Sequence, residues 1–600
     1  MKKAVTIIFL LITFTFTTHC KSNTSTVDKA LSVSLLPSKW KQNELKKYLD
    51  MDSRAYPDNP VAIGENGAIT TTFHSAASKV GLEALKQGGS SVDAALAASL
   101  TQITLNAGSV VSFFGIMNMV HYDASTGKIV SMDASWNTVK GETDPTSIPA
   151  INTAGGDLFA EREISGRSAL VGGFMKGFDE AHGKYGKLPY KVLFEPSIYL
   201  AENGFVLNER TANYFKRRDK QIRRLKETRE TLTKPDGSSY ISGDLFKQPA
   251  LANTLKNLAS QGSKYMYEGE WGQKAIKAIQ ADGGKMTLED LASYEVIWDA
   301  PTKATYGDYE IAVMGMPSVG SVNLIEALNL GFASNLVNEE HWSKNGESLR
   351  KISDITNMFT LGYLPIVTRN MIYPKIDLSD ESRLNLETSK ALWERMEQGV
   401  KLAQYADKSP KHSDTVVVID QWGNMTAITH SINAAVWGNE AIVVDGVSIS
   451  DAASIQKAMV AQAGPGNRVP APIEVGIISK NGKPYMPFAS MSTGLHQQTV
   501  QSILNVIGYG MDIEEAVNAP SIFLPSIDAS NPFSPKYTVR VMDGQFPKQV
   551  LEESGLPILE IPASERRYAQ GLWVAIEYDP KTKKLKAVSP PFANGAAIAY

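Results

Sequence analysis

The chain has 600 residues, of which 43% are apolar and 20% are charged. This composition is typical of a globular protein with enough apolar residues for a substantial buried core, and it excludes extensive disorder. The net charge is -3, from 60 basic and 63 acidic residues. Because no broad positive surface is expected, nucleic acid is excluded as a partner, and small molecules or peptides are favoured.

The first twenty residues have the pattern of an export signal. A cationic start, MKK, precedes an apolar stretch from Ala4 to Phe16 that is too short to span a bilayer. Cys20, the only cysteine, follows this stretch and precedes a polar segment. The arrangement resembles a bacterial lipoprotein signal with Cys20 as the lipidated residue, and a plain secretory signal is the alternative. Both predict export to the bacterial cell envelope, as a periplasmic protein or an outer-membrane lipoprotein.

Secondary structure is predicted as a mixture of helices and strands. Helical patterns with glycine punctuation occur at residues 75–105, 188–205, 250–294 and 496–520. The first of these segments reads as two helices joined by a Gly-Gly-Ser-Ser turn. After residue 411 the pattern changes to strands. Val416 to Ile419 and Met425 to Ile432 predict a hairpin with its turn at Trp422-Gly423-Asn424.

Several common catalytic motifs are absent from the sequence. It has no G-x-S-x-G elbow, no H-E-x-x-H, no G-x-x-x-x-G-K-[ST] and no strand-linked G-x-G-x-x-G. Eight histidines are present, but none lies in a recognisable catalytic context. We interpret His430, within a predicted strand, and His74, at the start of a predicted helix, as structural. With one cysteine, an intramolecular disulfide and a cysteine-ligated metal site are excluded.

An ordered series of segments resembles the gamma-glutamyltranspeptidase family. The matching segments, in chain order, are KVGLEALKQGGSSVDAALA, YDASTGKIVSMD, ALVGGFMKGFDEAHGKYGKLPYKVLFEPSIYLAENGF, GGKMTLEDLASYEVIW and GYGMDIEEAVNAP. The resemblance covers nearly the whole chain after the export signal. It implies an N-terminal nucleophile hydrolase, in which a precursor cuts its own backbone before a hydroxyl residue. That residue then supplies both the nucleophile and an α-amine base.

The position of the new N-terminus follows from the same resemblance. The family places its nucleophile seven residues before the aspartate at the hairpin turn, and counting back from Asp420 gives Ser413. The expected cleavage site is therefore the bond between His412 and Ser413. Thr415 is the alternative nucleophile, because threonine is the usual residue in the family.

Further site residues are implied where the sequence matches the family. The segment THSINAAVWG implies that Ser431 contacts the nucleophile and that Asn433 contacts the substrate. An ungapped count places Met491 and Ser492 at the family's oxyanion hole, whose donors are backbone N–H groups. Glycines usually occupy these two positions, so the expected backbone conformation is less favoured here.

The sequence also departs from the family where a glutamyl group would be bound. Ser135 replaces the arginine that pairs with the substrate's α-carboxylate. Ser454 or Ile455 stands where an acidic residue holds the α-amine, and Asp451 lies only nearby. The preceding segment, with Phe113, Phe114 and Met117, is apolar rather than glycine-rich. These changes predict a preference for an uncharged acyl group.

The fold class implied by the resemblance is α+β, a four-layer αββα sandwich of the N-terminal nucleophile hydrolase type. The predicted organisation is a signal at 1–20, a polar extension at 21–56, a large subunit at 57–412 and a small subunit at 413–600. The expected activity is hydrolysis or transfer of an acyl group from a small-molecule or peptide amide, with gamma-glutamyl compounds such as glutathione as the family's substrates. An acylase with an uncharged acyl group and a non-catalytic envelope lipoprotein are the alternatives. No metal or cofactor is implied.

Overall fold

The structure is a computed structural model that describes residues 33–52, 60–151, 159–400, 413–491, 494–528 and 536–600. The α-helices of these residues are α1 (Glu44–Asp52), α2 (Ser75–Lys86), α3 (Ser91–Leu105), α4 (Phe174–Tyr185), α5 (Glu195–Asn203), α6 (Glu209–Arg217), α7 (Asp219–Ile222), α8 (Lys226–Leu232), α9 (Pro249–Gln261), α10 (Lys264–Tyr267), α11 (Glu270–Ala281), α12 (Leu288–Ala292), α13 (Val319–Ala333), α14 (Gly346–Asn357), α15 (Ile366–Ile372), α16 (Asp380–Arg383), α17 (Leu386–Glu397), α18 (Ala452–Ile455), α19 (Lys457–Ala463), α20 (Leu495–Ile507), α21 (Ile513–Asn518) and α22 (Lys548–Glu553).

Most strands belong to two seven-stranded sheets. The strands are β1 (Val61–Gly64), β2 (Ala68–Thr71), β3 (Ile116–Asp123), β4 (Lys128–Ala134), β5 (Phe205–Val206), β6 (Leu245–Phe246), β7 (Ile297–Asp299), β8 (Thr302–Tyr306), β9 (Tyr309–Val313), β10 (Ser413–Ile419), β11 (Met425–Ser431), β12 (Ile442–Val444), β13 (Val447–Ile449), β14 (Val475–Lys480), β15 (Lys483–Met491), β16 (Ile522–Asp528), β17 (Lys536–Met542), β18 (Ile558–Ile561), β19 (Leu572–Tyr578), β20 (Leu585–Val588) and β21 (Ala597–Ala599). The first sheet has the order β1-β20-β19-β15-β14-β9-β8, and the second has β21-β2-β10-β11-β3-β4-β7.

The two sheets stack face to face between helical layers. Strands β10 and β11 of the second sheet pack against β14 and β15 of the first. Helices α2, α3 and α4 cover the outer face of the second sheet, and α20 and α21 cover the outer face of the first. The predicted four-layer αββα sandwich is therefore confirmed.

The side chains of β10 alternate between two cores. Val416 and Val418 pack under the helices, whereas Val417 and Ile419 pack between the sheets. Both faces of this strand are covered, which explains its run of β-branched residues. Because successive side chains point to opposite faces, Ser413 shares the face between the sheets, and Asp414 shares the face under the helices.

The predicted polar extension contains a packed helix. Leu35, Tyr48 and Met51 are buried in the same core as helices α2 and α3. Glu44 of α1 forms an ion pair with the buried Lys79 of α2 at 2.6 Å. The described part of the extension, residues 33–52, is thereby attached to the helical layer. The predicted signal and Cys20 lie outside the described residues.

Most of the predicted secondary structure is present. The segment 75–105 forms α2 and α3, and the segment 250–294 forms α9 to α12. Gly204 ends α5 with a φ of 83°, a left-handed conformation that favours glycine at this position. The predicted hairpin is the antiparallel pair β10–β11, in which Asp420 accepts hydrogen bonds from the backbone N–H groups of Trp422 and Asn424.

Candidate active site

Ser413 is the first residue of the central strand β10. It lies opposite Ser431 in the antiparallel ladder between β10 and β11, and only 3% of the surface of Ser413 is exposed. Strand β2 pairs with β10 only from Val416 onward. Ser413 therefore stands at the open end of the strand, on the face between the two sheets. His412, the other residue of the predicted cleavage site, lies outside the described residues.

Thr415, the alternative nucleophile, is held within the sheet. Its backbone N–H donates to Thr72 Oγ1 at 3.0 Å, and its hydroxyl donates to the same oxygen at 3.3 Å. Its carbonyl oxygen accepts from the Thr72 N–H at 3.3 Å and from Gln102 Nε2 at 3.4 Å. Both peptide groups of Thr415 are thus used in sheet and helix contacts, which disfavours this position as a chain end.

Ser431 and Asn433 form a small hydrogen-bonded unit beside Ser413. The Ser431 hydroxyl donates to Asn433 Oδ1 at 2.9 Å and accepts from the Asn433 N–H at 3.0 Å. Asn433 has a φ of 44°, and its buried Nδ2 has no hydrogen-bond partner in the structure. A buried amide donor without a partner is costly. The Asn433 side chain is therefore suited to donate a hydrogen bond to a bound ligand.

The predicted oxyanion segment joins a strand to a helix. Met491 is the last residue of β15, is fully buried, and lies opposite Leu572 of β19. Helix α20 begins just beyond, after Gly494 with a φ of 77° and with no side-chain cap. The start of a helix carries a partial positive charge, because its first N–H groups have no partner within the helix. Ser492 lies outside the described residues.

Close backbone packing supports this junction. A Cβ atom on Gly571 would lie 2.5 Å from the Gly494 carbonyl oxygen. A larger residue at 571 would push the start of α20 away from β19. The junction is thus fixed by a glycine that the sequence analysis did not identify.

Asp414 is a completely buried acid next to Ser413. Burial raises the pKa of the Asp414 carboxyl to about 6, and His74, Arg210 and a hydrogen bond from Asn106 oppose this rise. The Asn106 Nδ2 to Asp414 Oδ2 distance is 2.7 Å. Asp414 Oδ1 has no hydrogen-bond partner in the structure. Sequence analysis missed this acid because the groups around it come from distant segments.

His430 and His74 have structural contacts, as predicted. His430 lies opposite Asp414 on β11, and its Nε2 contacts Gln102 Oε1 at 2.9 Å. Burial lowers the pKa of His430 to about 3. His74 precedes the first residue of α2, and its Nδ1 contacts Asp52 Oδ2 at 3.2 Å.

Ser135, at the position of the missing arginine, is buried and fully hydrogen-bonded. Its hydroxyl bonds to the Asn118 side chain at 2.9 Å, and its N–H donates to Asp133 Oδ1 at 2.7 Å. A different arginine, Arg468, comes close to this position. Its three donor nitrogens bind Asn137 Oδ1, the Asp133 carbonyl and the Glu295 carbonyl at 2.6 to 2.7 Å. Arg468 therefore does not replace the missing carboxylate ligand.

Asp451, the acidic residue near the expected ammonium site, is also engaged. Its Oδ2 accepts from the Asn439 N–H, from Asn439 Nδ2 and from Arg162 Nη2, at 3.1 to 3.2 Å. Arg162 Nη2 also contacts both carboxylate oxygens of Glu440, at 2.8 and 3.0 Å. Burial and the nearby Asp451 carboxylate raise the pKa of Glu440, whereas Arg162 lowers it. Within this buried cluster Asp451 Oδ2 and Arg162 Nη2 are engaged, whereas Asp451 Oδ1 and Arg162 Nε have no hydrogen-bond partner in the structure. Ser454 donates its hydroxyl to the Asp451 carbonyl and offers no charge, and Ile455 is apolar.

The apolar segment before Ser135 lies in the core under the helices. Phe113 packs edge-on against Phe174, and Phe114 contacts Tyr267 and Trp271. Met117 belongs to the same core cluster. Phe113 and Phe114 precede β3 and Met117 lies on it, and all three side chains are buried within this core.

Among the described residues, no group of three or more His, Cys, Asp and Glu side chains is arranged to hold a metal ion. None of their helices has the length and apolar character needed to cross a membrane.

Two stacked sheets between helices, with a hydroxyl residue at the first position of a central strand, are the arrangement of the N-terminal nucleophile hydrolases. The sequence profile of the family described as gamma-glutamyltranspeptidase matches residues 77–600. The chain therefore belongs to the gamma-glutamyltranspeptidase family of enzymes.

Relatives of the chain include both glutathione hydrolases and acylases. The glutathione hydrolase proenzyme of Bacillus subtilis (strain 168) is 26% identical over 562 residues, covering 90% of this chain and 92% of the relative. The acylase ACY 1 proenzyme of Pseudomonas sp. (strain SE83) is 25% identical over 482 residues, covering 77% and 83%. The crystal structure of cephalosporin acylase from Bacillus halodurans superposes with a TM-score of 0.71 at 20% identity, covering 91% and 98%, which shows the shared fold.

Proposed function

We propose that the protein is a self-processing amide hydrolase or acyl transferase with Ser413 as its nucleophile. The observation that carries this proposal is the position of Ser413 at the open end of β10, opposite Ser431. Cleavage of the bond between His412 and Ser413 would create a free α-amine on the residue that carries the hydroxyl. Thr415 is the weaker candidate, because its backbone groups are held on both sides.

The α-amine of Ser413 would act as the base. An α-amine has a pKa of about 7.7 to 8.0, so a useful fraction is neutral near pH 7.5. It takes the proton of the Ser413 hydroxyl while the oxygen attacks the substrate carbonyl carbon. The tetrahedral intermediate collapses, the carbon–nitrogen bond breaks, and the α-ammonium gives its proton to the leaving amine. Water or an acceptor amine then attacks the acyl ester by the same route and restores the hydroxyl.

The surrounding groups suit the roles that the family assigns to them. Ser431 lies across the ladder, where its hydroxyl can contact the nucleophile, and Asn433 has an unused Nδ2 donor for the substrate. The backbone N–H groups of Met491 and Ser492 are proposed to bind the oxyanion. The nearby start of α20 adds a favourable partial positive charge.

We propose that the enzyme prefers amide substrates whose acyl group is uncharged. A glutamyl donor carries an α-carboxylate and an α-ammonium, and burying these charges without partners is unfavourable. Ser135 offers no charge, Arg468 and Arg162 are engaged with other residues, and Asp451 Oδ2 already shares its charge with Arg162 and Asn439, which leaves Oδ1 as its one unpartnered oxygen. An acylase specificity is favoured by these contacts. The family also contains glutathione hydrolases, so gamma-glutamyl amides are the second candidate.

The proposal is tested by purifying the chain without its signal and running it on a denaturing gel. Two fragments are expected, corresponding to residues before and after the bond at 412–413, and amide hydrolysis should accompany them. The Ser413→Ala variant should remain one intact band without activity. A wild-type chain that stays intact and inactive would instead support a non-catalytic protein that retains the fold.

Export and lipidation at Cys20 are proposed from the sequence alone. The supporting observations are the apolar stretch from Ala4 to Phe16 and the single cysteine that follows. The two subunits would then remain together at the envelope, because strands β2 and β3 of the large subunit flank β10 and β11 of the small one.

A further inference from the structure

A chain of polar contacts runs from Asp414 to the helix of the N-terminal extension. Asn106, at the end of α3, donates from Nδ2 to Asp414 Oδ2 at 2.7 Å. Arg210 of α6 donates from Nη2 to Asn106 Oδ1 at 3.1 Å and contacts His74 Nε2 at 3.4 Å. His74 Nδ1 lies 3.2 Å from Asp52 Oδ2. Apart from Asp414, these residues lie outside the hairpin that the sequence identified as the site.

The contacts fix the orientation of each group in the chain. The His74 ring lies between an acceptor, the Asp52 carboxylate at Nδ1, and a donor, the Arg210 guanidinium at Nε2. The Asn106 amide has its oxygen toward Arg210 and its nitrogen toward Asp414. The Arg210 guanidinium also stacks on the Phe73 ring, with its central carbon 3.7 Å from the ring centroid. A planar cation with this packing has little freedom to move.

The energetic role of the chain concerns the buried Asp414. An ionised carboxylate without partners is costly in a protein interior. The described charged and titratable groups around Asp414 are His74 at the start of α2, Arg210 on α6 and His430 on β11, with Asp52 of α1 behind His74. Arg210 is the permanent cation of this set. Together with His74, which has the larger effect on the pKa of Asp414, and the Asn106 hydrogen bond, it opposes the effect of burial on the Asp414 carboxylate.

Asp414 in turn holds the start of β10. The first three residues of this strand lie outside its ladder with β2, which begins at Val416. After self-cleavage, Ser413 would also lose its peptide bond to His412. Pairing with β11, the contacts of Thr415 with Thr72 and the anchored Asp414 side chain would then position the strand end.

We propose that Arg210 is a positioning residue which, through Asn106, anchors the Asp414 carboxylate and so holds Ser413 in place for reaction. This inference rests on the proposed function, since it takes Ser413 as the nucleophile. The anchor itself concerns the order of the strand start and can be measured without turnover.

The test compares Arg210→Gln with Arg210→Lys, which keeps the charge, and with Lys216→Gln, a control at an exposed position on the same helix. Asn106→Ala is a second variant that breaks the anchor but leaves Arg210 with His74. Hydrogen–deuterium exchange measures the amides at the start of β10. Steady-state kinetics measure kcat and KM over pH 5 to 9 for amide hydrolysis.

In the Arg210→Gln and Asn106→Ala variants, we expect the backbone amides of residues 414–415 to exchange about tenfold faster than in the wild type. The amides of β11 should exchange at the wild-type rate. We expect kcat to fall about tenfold in Arg210→Gln with KM within about twofold. The acid limb of the kcat–pH profile of Arg210→Gln should move to higher pH, because removing the Arg210 charge favours the protonated form of Asp414. Arg210→Lys should restore most of the wild-type exchange rate and kcat, and Lys216→Gln should match the wild type in both measurements.

If the amides of residues 414–415 exchange in Arg210→Gln at the wild-type rate, Arg210 does not anchor the start of β10 and the proposal is overturned. A kcat loss with neither a pH shift nor rescue by lysine would overturn its link to Asp414. If the wild-type chain neither cuts itself nor hydrolyses amides, the proposed function fails, and the exchange experiment still decides whether the anchor exists.

Discussion

Ser413 and Ser431 lie directly opposite each other across the central hairpin of the second sheet. Each side chain is on the face between the two sheets, and Asn433 is hydrogen-bonded to Ser431 from the next turn of the chain. The relationship brings two hydroxyls and one unused amide donor to the end of a single strand pair. It gives the proposed nucleophile polar neighbours without a serine–histidine–acid set.

Ser431→Ala should lower activity more than stability. The change removes the acceptor of the Asn433 N–H and the donor to Asn433 Oδ1, so the substrate-binding amide loses its fixed position. Losing such contacts typically costs about 1 to 3 kcal/mol, which corresponds to a loss of about five- to 150-fold in kcat/KM. Steady-state kinetics on one amide substrate measure this loss.

Thr429→Val is the matched control for that change. Thr429 lies two residues earlier on the same face of β11, and its buried hydroxyl has no hydrogen-bond partner in the structure. Valine removes this hydroxyl and keeps the shape, so activity should stay within about twofold. An equal loss in both variants would contradict a specific role for Ser431.

Asp414→Asn should stabilise the protein at neutral pH and not at low pH. Burial raises the pKa of Asp414 from 3.8 to about 6, so the folded state holds this proton more tightly than the unfolded chain. The carboxyl's contribution to stability is full below about pH 4 and is lost as the pH rises through about 6. A shift of this size corresponds to about 3 kcal/mol at most.

Thermal unfolding of the wild type and Asp414→Asn at pH 4 and pH 7.5 measures the effect. The variant's advantage should grow between the two pH values, because asparagine has no proton to lose. The comparison cancels the titration of other groups that both proteins share. A wild type that gains stability relative to the variant at pH 7.5 would show that the folded state favours the ionised carboxylate.

Substrate preference should follow from Ser135, which offers no charge, and from the described arginines near it, which are engaged with other residues. Amides with an uncharged acyl group should give a higher kcat/KM than gamma-glutamyl anilides or glutathione. Loss of a charged contact to a substrate costs about 2 to 5 kcal/mol, which is more than tenfold in apparent affinity. Steady-state kinetics on the two classes provide the comparison. Efficient, saturable gamma-glutamyl transfer at micromolar donor would refute this prediction.

The Ser135→Arg variant tests the same prediction by a gain of gamma-glutamyl turnover. It returns an arginine to the position that the family uses for the α-carboxylate, and gamma-glutamyl turnover should increase. The neighbouring Asp133 already binds Arg468, so the new guanidinium competes for space in a buried site. Ser135→Met is the control for the added volume, and it should not increase gamma-glutamyl turnover.

Lipidation at Cys20 should place the protein on an envelope membrane. Two or more acyl chains give stable anchoring, whereas a secreted form without them is soluble in water. Detergent-phase partitioning of the wild type and Cys20→Ser, both expressed with the signal, measures this difference. Equal partitioning of both proteins into the aqueous phase would rule out a lipid anchor.

The sequence predicted the elements whose signals are local. Helices α2 and α3 follow from apolar periodicity with a glycine-rich turn, and β10 and β11 follow from a β-branched run and turn residues. The surroundings of Asp414 were not predictable in this way. Asp52, His74, Asn106 and Arg210 lie on four separate helical segments, and only the fold brings them to one strand.

The same limit applies to the charges near the expected glutamyl site. The missing arginine at Ser135 is visible in the sequence, but the nearby Arg468 is 333 positions away and reaches the region through an unrelated loop. The packing of α1 was missed because its surface residues are polar and only Tyr48 and Met51 are buried apolar anchors. Local patterns thus identify elements, whereas long-range contacts decide how the site is charged.

The central claim is that Ser413 becomes the N-terminal nucleophile, and N-terminal sequencing of the smaller fragment from the purified protein tests it most directly. The account predicts a sequence that begins Ser-Asp-Thr-Val-Val-Val and its absence from the uncut Ser413→Ala variant, while Thr415→Val still cuts. A fragment that begins at Thr415, or a single intact chain in the wild type, would contradict the account.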